Sequence, residues 1–334
     1  MKRIIRTLSL IALVALVATS CKKKEEANFN MTVGETTGFE VGPSFDGSKA
    51  YFDPNDGYRF KWNLGDRVVI YNLDNDYTKS VAGIYTANQA GYTTSFSPEG
   101  AEVGAPKSIG YRVFYNAAKA ETAIDVDNRV TFHVPATQTY EPECWADPNA
   151  MVMACTAHAT GDHIGIFTME HIFGYLNIGV GHSISDSRQV TSIVVQDDQW
   201  NLYGDLSLKL GPVNASTFTS LMNQCYNTNG GESYLTALSQ YLDVLGYNAD
   251  GQGKTITMDC SKSSNLITGQ YKYFFVSLRP GALYKGFTVT INYNTGAPST
   301  HHFDANRDYL IKPATFANVY ALTDGRWWNG NSWE

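Results

Sequence analysis

The sequence of 334 residues lacks the four motifs that most often mark an active site. It contains no nucleophile elbow (G-x-S-x-G), no phosphate-binding loop (G-x-x-x-x-G-K-S/T), no G-x-G-x-x-G and no zinc-binding H-E-x-x-H. These absences argue against a secreted hydrolase, which is otherwise compatible with an exported chain. We therefore predict that the protein is not an enzyme and that it uses neither a cofactor nor a metal.

Positive charge is also scarce. Lys and Arg total 25 against 32 Asp and Glu, which gives a net charge of −7 at neutral pH. Beyond Lys22-Lys23-Lys24 the chain has no cluster of basic residues. An acidic protein of this kind is a poor match for nucleic acid or anionic lipid, since both are negatively charged. The composition therefore predicts no nucleic-acid partner.

Long hydrophobic runs are missing too. Residues 8–17 form an almost unbroken apolar run of about ten residues, whereas a membrane-spanning helix needs about 20. This run follows the basic residues Lys2, Arg3 and Arg6 and precedes small residues. Residues 1–20 are therefore predicted to be a signal peptide.

Cys21 comes directly after the small residues Ala18, Thr19 and Ser20 and before a charged run. This arrangement resembles the bacterial lipobox, in which the leader is cut just before a lipid-bearing cysteine. We predict that Cys21 is lipidated, that residues 21–30 form a tether, and that the protein is anchored in the outer membrane by this lipid and exposed at the cell surface. The alternative is an ordinary secretory signal in which Cys21 has no role.

Cysteine is infrequent, with five in the chain. After Cys21, the remaining four are Cys144, Cys155, Cys225 and Cys260. Export permits disulfides, and four cysteines allow three pairings, among which the sequence does not choose. Their irregular spacing matches no zinc motif. We predict one disulfide at most, with buried thiols as the alternative.

Helical periodicity is scarce, and alternation of apolar and polar residues dominates. In residues 286–293, for example, Phe287, Val289 and Ile291 alternate with polar residues. Other predicted strands cover residues 67–71, 111–115, 129–134, 190–196, 202–208, 255–259 and 271–278. Many short strands in a chain of this length predict an all-β protein with two tandem β-sandwich domains.

The domain boundary is predicted from composition. Residues 179–187 are rich in Gly and Ser, so residues 31–180 are assigned to an N-terminal sandwich and residues 181–323 to a C-terminal one. A short helical insertion is predicted at about residues 211–253, because leucines recur there at helical spacing. These leucines are Leu235, Leu238, Leu242 and Leu245.

One segment holds several potential metal ligands. No two histidines among them have the helical i, i+4 spacing of a zinc protease, so we interpret them as loop or core residues. They are His158, Asp162, His163, Glu170 and His171.

Two other polar pairs are predicted to lie in turns. His301 and His302 are assigned to a turn. Asp197 and Asp198 are assigned to a hairpin turn over residues 196–201 with Trp200 packed over it, because adjacent strand residues point to opposite faces and could not act as a carboxylate pair.

Residues 324–334 form a tail with three tryptophans, Trp327, Trp328 and Trp333. Asn329-Gly330 is a strong turn signal that would place Trp328 opposite Trp333. These tryptophans are candidate contacts for a ligand, as an aromatic platform for a sugar ring, or for a partner protein. Alternatively, their indoles pack on the second domain.

Several motifs are spread along the chain. Residues 58–71 read Y-R-F-K-W-N-L-G-D-R-V-V-I-Y, residues 130–138 read V-T-F-H-V-P-A-T-Q, and residues 167–178 read F-T-M-E-H-I-F-G-Y-L-N-I. The first resembles an F-x-W-x-x-G-D-x-(I/V)-x-(I/V)-(Y/F) signature and the second a strand that ends in L-P-x-x-Q. Together with the lipobox, they make the chain resemble the fimbrillin-like proteins of Bacteroidetes, the subunits of type V pili and their relatives.

This resemblance implies two transthyretin-like sandwiches and a role in fimbriae or adhesion. In pilus-building members a protease cuts after a basic residue, and the groove left by the released strand accepts a donor strand from another fimbrial subunit. Where the family often has Thr-Arg, this chain has Ser48-Lys49, so Lys49 is the family-like processing site and Arg59, inside the signature, is the second candidate. We expect Cys21 to keep its lipid.

The sequence therefore favours a non-enzymatic surface lipoprotein of fimbrillin type that acts in pilus assembly, anchoring or adhesion through strand complementation. Its partners would be other fimbrial subunits and a glycan or protein of a host or bacterial surface. The alternative is a surface glycan-binding lipoprotein that uses the C-terminal tryptophans.

Overall fold

A computed structural model describes residues 51–53, 59–73, 82–99, 110–115, 129–157, 159–160, 163–164, 169–183, 187–209, 248–312, 315–328 and 332–334. Regular structure in these segments is β, apart from two short 3-10 helices at Pro148–Ala150 and Arg307–Tyr309. The prediction of an all-β protein is confirmed. No helix among these residues is long and apolar enough to cross a membrane.

The described residues form 21 strands. The first twelve are β1 (Tyr51–Asp53), β2 (Arg59–Lys61), β3 (Arg67–Leu73), β4 (Ala82–Ala87), β5 (Phe96–Pro98), β6 (Gly110–Tyr115), β7 (Arg129–Val134), β8 (Thr137–Thr139), β9 (Met153–Ala157), β10 (Ala159–Thr160), β11 (His163–Ile164) and β12 (Glu170–His171). The others are β13 (Gly174–Gly181), β14 (Val190–Asp197), β15 (Tyr203–Lys209), β16 (Asn248–Gly253), β17 (Thr255–Asp259), β18 (Tyr271–Leu278), β19 (Phe287–Tyr293), β20 (Ser299–Phe303) and β21 (Phe316–Leu322).

These strands pair into four larger sheets and two ribbons. The first sheet has the order β12-β9-β6-β3-β4-β5, the central sheet β18-β13-β21, the outer sheet β20-β19-β14-β17-β8 and the fourth sheet β16-β15-β7. The ribbons are β1-β2 and β10-β11. Within the central sheet, β13 is antiparallel to β18 and parallel to β21.

The central sheet is buried on both faces along much of its length, and β13 is buried at every residue. One face carries Leu176, Ile178 and Val180, which belong to the core shared with the outer sheet. The opposite face carries Tyr175 of β13 and Phe275 of β18. Both belong to the core under the first sheet, which we call the first core. A strand with no solvated face must be apolar or glycine throughout, and the sequence G-Y-L-N-I-G-V-G departs from that rule only at Asn177.

The glycines of β13 make room for aromatic rings. A Cβ atom at Gly179 would lie 2.6 Å from Cδ1 of Tyr320 and 3.2 Å from Cε1 of Tyr273. A Cβ at Gly181 would lie 2.9 Å from Cε1 of Tyr271. Residues 179–187 were predicted to be a domain boundary because they are rich in Gly. At Gly179 and Gly181, however, glycine is required because tyrosine rings lie directly over the main chain of the central sheet.

Hydrogen bonding does not divide the chain at residue 180, the predicted end of the first sandwich. That residue lies inside β13, and strands from before it pair with strands from after it. Specifically, β7 pairs with β15, and β8 pairs with β17. Of the predicted helical insertion, residues 248–253 form β16, while residues 211–247 lie outside the described residues.

The eight predicted strands are all confirmed, and Thr255–Asp259 and Tyr271–Leu278 agree at both ends. Two predicted turns were wrong. Residues 196–201 do not form a hairpin, because β14 and β15, which they connect, belong to different sheets. His301 and His302 lie within β20 instead of a turn, since β20 pairs with β19 through these residues.

The W-N-L-G-D stretch of the first motif forms a tight turn. Asp66 accepts a hydrogen bond from the main-chain N–H of Asn63 at 2.6 Å, and Gly65 adopts a positive φ of 87° that favours glycine. Trp62, which is 1% exposed, packs edge-to-face on Phe96 and Tyr115. These residues of the signature thus hold the first sheet together.

Gln138, the last residue of the second motif, joins the two halves of the chain. Its side-chain amide donates to the carbonyl of Ser277 at 2.8 Å and accepts from the N–H of Ser277 at 2.9 Å. Gln138 is fully buried. The side-chain amide therefore makes the two hydrogen bonds that a neighbouring strand would make to Ser277. It satisfies main-chain groups of β18 that would otherwise be buried without partners.

The cysteines in the described residues are buried thiols: Cys144, Cys155 and Cys260. Burial raises the pKa of the Cys144 thiol to about 12, so this thiol stays protonated at neutral pH. Cys225 lies outside the described residues.

His171 lies in the core. It is 1% exposed, and its Nδ1 atom is 2.8 Å from the hydroxyl of Tyr175. Burial lowers the pKa of His171 from its ordinary value of 6.5 to about 3, so the imidazole is neutral in the folded protein. The interpretation of His171 as a core residue is confirmed.

We expect Gln138→Leu to destabilise the protein by about 2–4 kcal/mol, because it leaves the N–H and the carbonyl of Ser277 buried without partners. Guanidinium unfolding monitored by circular dichroism measures the effect. Gln196→Leu is the control, since Gln196 is exposed on β14 and should change stability by about 0.5 kcal/mol or less. Equal effects of the two substitutions would contradict the role of Gln138.

We expect the stability of the protein to fall as the pH falls below 6.5, in part because of His171. The unfolded histidine takes up a proton near pH 6.5, whereas the folded one does so only near pH 3. Each pH unit in that window costs about 1.4 kcal/mol of unfolding free energy. His171→Gln should therefore flatten the stability profile between pH 6.5 and 4.5, whereas His302→Gln, at an exposed position, should not. Parallel profiles for His171→Gln and the wild type would refute this.

Candidate binding face

The predicted lipidation and processing residues lie at or beyond the start of the described chain. Cys21 and Lys49 are outside the described residues. Arg59 is the first residue of β2, where it pairs with Asp53 of β1. Cleavage after Arg59 would require this ribbon to open, whereas Lys49 precedes β1 by two residues.

The structure describes only some of the potential metal ligands, and it does not bring those together. His171 is in the core, and His163 is in the short ribbon β10-β11, while His158 and Asp162 lie outside the described residues. Among the side chains that the structure describes, no group of three or more His, Cys, Asp or Glu residues could hold a metal ion.

Asp197 has a structural role. It is fully buried, and its carboxylate accepts hydrogen bonds from the main-chain N–H groups of Gln199, Trp200 and Leu283 at 2.6–2.8 Å. The carboxylate thus fixes the connection that follows β14.

Trp327 is not presented to a ligand. It is 2% exposed and belongs to the core shared with the outer sheet, where it stacks on His301 at 5.6 Å between ring centroids and meets Phe303 edge-to-face. Its position follows from main-chain pairing: Trp327 lies opposite Ala321 of β21, which faces the same core. The inclusion of Trp327 among the candidate ligand contacts is therefore corrected.

Trp328 and Trp333 face each other as a pair on the opposite side. They form an antiparallel bridge with ring centroids 5.5 Å apart, and Trp327 and Glu334 exchange two main-chain hydrogen bonds beside them. Both indoles are half-buried. Their opposition agrees with the sequence-based expectation, although Asn329 and Gly330, the predicted turn, lie outside the described residues.

A single row of residues crosses the central sheet and continues onto the tail. Gly179 pairs with Tyr273 on one side and with Tyr320 on the other. The N–H of Trp328 donates to the carbonyl of Tyr320 at 3.0 Å, and Trp328 is bridged to Trp333. Since directly paired residues point to the same face of a sheet, four aromatic side chains and one glycine lie in line.

A second row runs beside the first. Gly181 pairs with Tyr271 and with Leu322, and the N–H of Leu322 donates to the carbonyl of Arg326. Tyr271 is 40% exposed and meets Tyr320 edge-to-face. We call Tyr271, Tyr273, Tyr320, Trp328 and Trp333 together the aromatic face.

Polar groups border the aromatic face on the side of the first core. Asn177 pairs with Asn318, and its amide donates to Oδ1 of Asn318 at 2.7 Å. Oδ1 of Asn177 itself is buried and has no hydrogen-bond partner, whereas Asn318 is exposed. Phe275 pairs with Asn177 on the other side, Tyr175 lies in the next row, and the first core covers both. The face is thus covered at one end of the strands and open at the other.

The aromatic face is uncharged at neutral pH. Burial raises the pKa of Tyr271 and that of Tyr320, so both phenols keep their protons. Arg326, the nearest cation along the second row, donates two hydrogen bonds to Asp324 and is neutralised by it. The face therefore offers ring surfaces, phenol hydroxyls and an amide.

Sequence reasoning found Trp328 and Trp333 but missed the three tyrosines. Their signal was present, because Tyr271 and Tyr273 occupy alternate positions of a correctly predicted strand, and Tyr320 alternates with Val319 and Ala321. What the sequence did not contain was the register that places these strands on either side of Gly179.

No family model and no curated protein matches the chain. Among solved structures, it is similar to three candidate cell adhesion proteins. The protein of Bacteroides ovatus has 8% identity, a TM-score of 0.46 and coverage of 83% of this chain and 92% of its own. That of Bacteroides fragilis has 10% identity, a TM-score of 0.40 and coverage of 93% and 97%. That of Bacteroides eggerthii has 10% identity, a TM-score of 0.34 and coverage of 86% and 88%. All three TM-scores are below 0.5.

Proposed function

We propose that the protein is a lipoprotein of the outer membrane, displayed at the cell surface and held by lipid on Cys21, that acts in fimbrial assembly, anchoring or adhesion. The observation that carries the proposal is the position of the motif residues. Trp62, Asp66 and Gln138, which make the sequence resemble the fimbrillin-like proteins, are the residues that hold the β-sheets together. The motifs therefore account for the all-β architecture that the resemblance implies.

The role proposed is binding without catalysis. His171 and Asp197, which were considered as metal-ligating or catalytic candidates in the sequence, have structural roles. Both are buried and hydrogen-bonded. Among the described residues, the aromatic face is a half-exposed cluster of rings that suits a binding protein.

Assembly with other fimbrial subunits would use strand complementation, in which an added strand pairs with an open sheet edge. The segment that proteolysis would release precedes β1. Of the two candidate sites, Lys49 is favoured because its cleavage leaves the β1-β2 ribbon intact, whereas Arg59 is engaged in that ribbon. Without cleavage the subunit keeps its lipid and serves as an anchor.

We expect mass spectrometry of the protein purified from outer membranes to find an N-terminal Cys21 that carries lipid. Cys21→Ser should remove the protein from the outer-membrane fraction, because a chain without this cysteine cannot carry the lipid. Cys225→Ser, which leaves the lipobox intact, should not. A mature N-terminus near residue 50 would contradict the anchored form and identify a processed shaft subunit. A soluble protein cut before Cys21 without lipid would refute the lipoprotein itself.

A further inference from the structure

We propose that the aromatic face binds a neutral saccharide chain. This inference rests on the proposed role at the cell surface and names the chemical class of the ligand. It places the site on the central sheet and on Trp328 and Trp333, without Trp327.

The dimensions of the aromatic face suit an extended ligand. The row from Tyr273 to Trp333 crosses five adjacent strand positions, and four strand spacings of about 4.8 Å give a length of about 19 Å. Trp145 stacks on Tyr273 at one end of this row, and the length that remains accommodates consecutive sugar rings. The width of the aromatic face is supplied by Tyr271 in the neighbouring row.

The chemistry of the aromatic face suits a sugar. A sugar ring has apolar C–H faces and a rim of hydroxyls, and aromatic side chains with a polar tip provide the matching combination. The rings of Tyr271 and Tyr320 meet edge-to-face, and each carries a hydroxyl. The amide of Asn318 is exposed at the border, where its Oδ1 is occupied by Asn177 and its N–H groups remain to donate to a ligand.

The buried acceptor beside this border points to a hydroxyl-bearing ligand. Oδ1 of Asn177 lacks a hydrogen-bond partner although the residue is only 7% exposed. An unsatisfied buried acceptor costs free energy that a donor from outside would recover.

The charge distribution favours a neutral saccharide over an acidic one. The chain carries a net charge of −7, and the aromatic face itself is uncharged. Arg326, the cation at its edge, is held by Asp324 at 2.7 Å. An acidic polysaccharide would therefore meet repulsion without a compensating cation.

The main chain around the aromatic face argues against a peptide strand as the occupant. Strand addition needs free main-chain groups at a sheet edge. Strand β13 is paired on both sides, and the outer edge of β21 pairs with Trp327 and Trp328 at Tyr320–Leu322. Strand β18 is the other edge of this sheet, but the row of rings lies on the face of the sheet, and a face binds through side-chain stacking.

Calorimetric titration of the full-length protein with neutral hexasaccharides tests the proposal. The probes are β-1,4-linked hexamers of glucose, mannose, xylose and N-acetylglucosamine, with an α-1,4-linked galacturonic acid hexamer as the acidic comparison. We expect at least one neutral hexamer to bind more tightly than the acidic one. Trp333→Ala should weaken that binding about tenfold, because it removes one stacking surface.

Two further variants separate stacking from loss of structure. Tyr271→Ala, at the exposed end of β18, should also weaken binding, whereas Trp333→Phe should restore most of it. Trp200→Ala is the matched control, since Trp200 is 38% exposed but lies against Arg279, beyond the opposite end of β18. It should leave the dissociation constant unchanged. Circular dichroism verifies that each variant is folded.

The proposal is overturned if no neutral hexamer binds, if the acidic hexamer binds as tightly as the best neutral one, or if Trp200→Ala reduces binding as much as Trp333→Ala does. Dimers that are lost in Trp333→Ala, without any saccharide binding, would likewise overturn it in favour of a protein partner. Adhesion of intact cells that depends on the protein but not on Trp333 would refute the saccharide site and leave the proposed function standing.

Discussion

The burial of the central sheet on both faces is the constraint on which the rest of the structure depends. Strand β13 contributes Leu176, Ile178 and Val180 to one core and Tyr175 to the other, so one strand of eight residues links the two. Its main chain is fully engaged by β18 and β21. A polar residue in this strand needs its own partner, and Asn177 finds one in Asn318. Any change in its register would move side chains of both cores to the wrong face at once.

The aromatic face is a consequence of the same constraint. On the face of β13 that carries Tyr175, the first core ends at Asn177, and the next two residues on that face are Gly179 and Gly181. Tyrosines from both neighbouring strands lie over these glycines. A larger side chain at Gly179 would hold the rings of Tyr273 on β18 and Tyr320 on β21 apart. Glycine lets the rings close over the strand, and the tail extends the row with Trp328 and Trp333. The open end of the central sheet thus combines tight packing below with half-exposed rings above.

The individual strands could be predicted from sequence because alternation is a local property. Phe287, Val289 and Ile291 are buried as expected, and the intervening threonines are partly exposed. The assembly of strands could not be predicted, since β7 pairs with β15 across about 70 residues and β8 with β17 across about 120. For the same reason the three tryptophans of the tail looked equivalent. Only the pairing of Trp327 with Ala321 directs that indole into the core and its neighbour Trp328 to the other side.

The residues that give the chain its resemblance to fimbrillin-like proteins differ from those that form the aromatic face. Trp62, Asp66 and Gln138 are buried and stabilise turns and sheet contacts, which any protein of this architecture requires. By contrast, Tyr320 and Trp333 contribute little to the first core and lie at half-exposed positions. The buried motif residues therefore carry information about the fold, whereas the half-exposed rings carry information about the ligand. Two chains could therefore share these motifs and still bind different molecules, so the ligand has to be inferred from the face of the sheet itself.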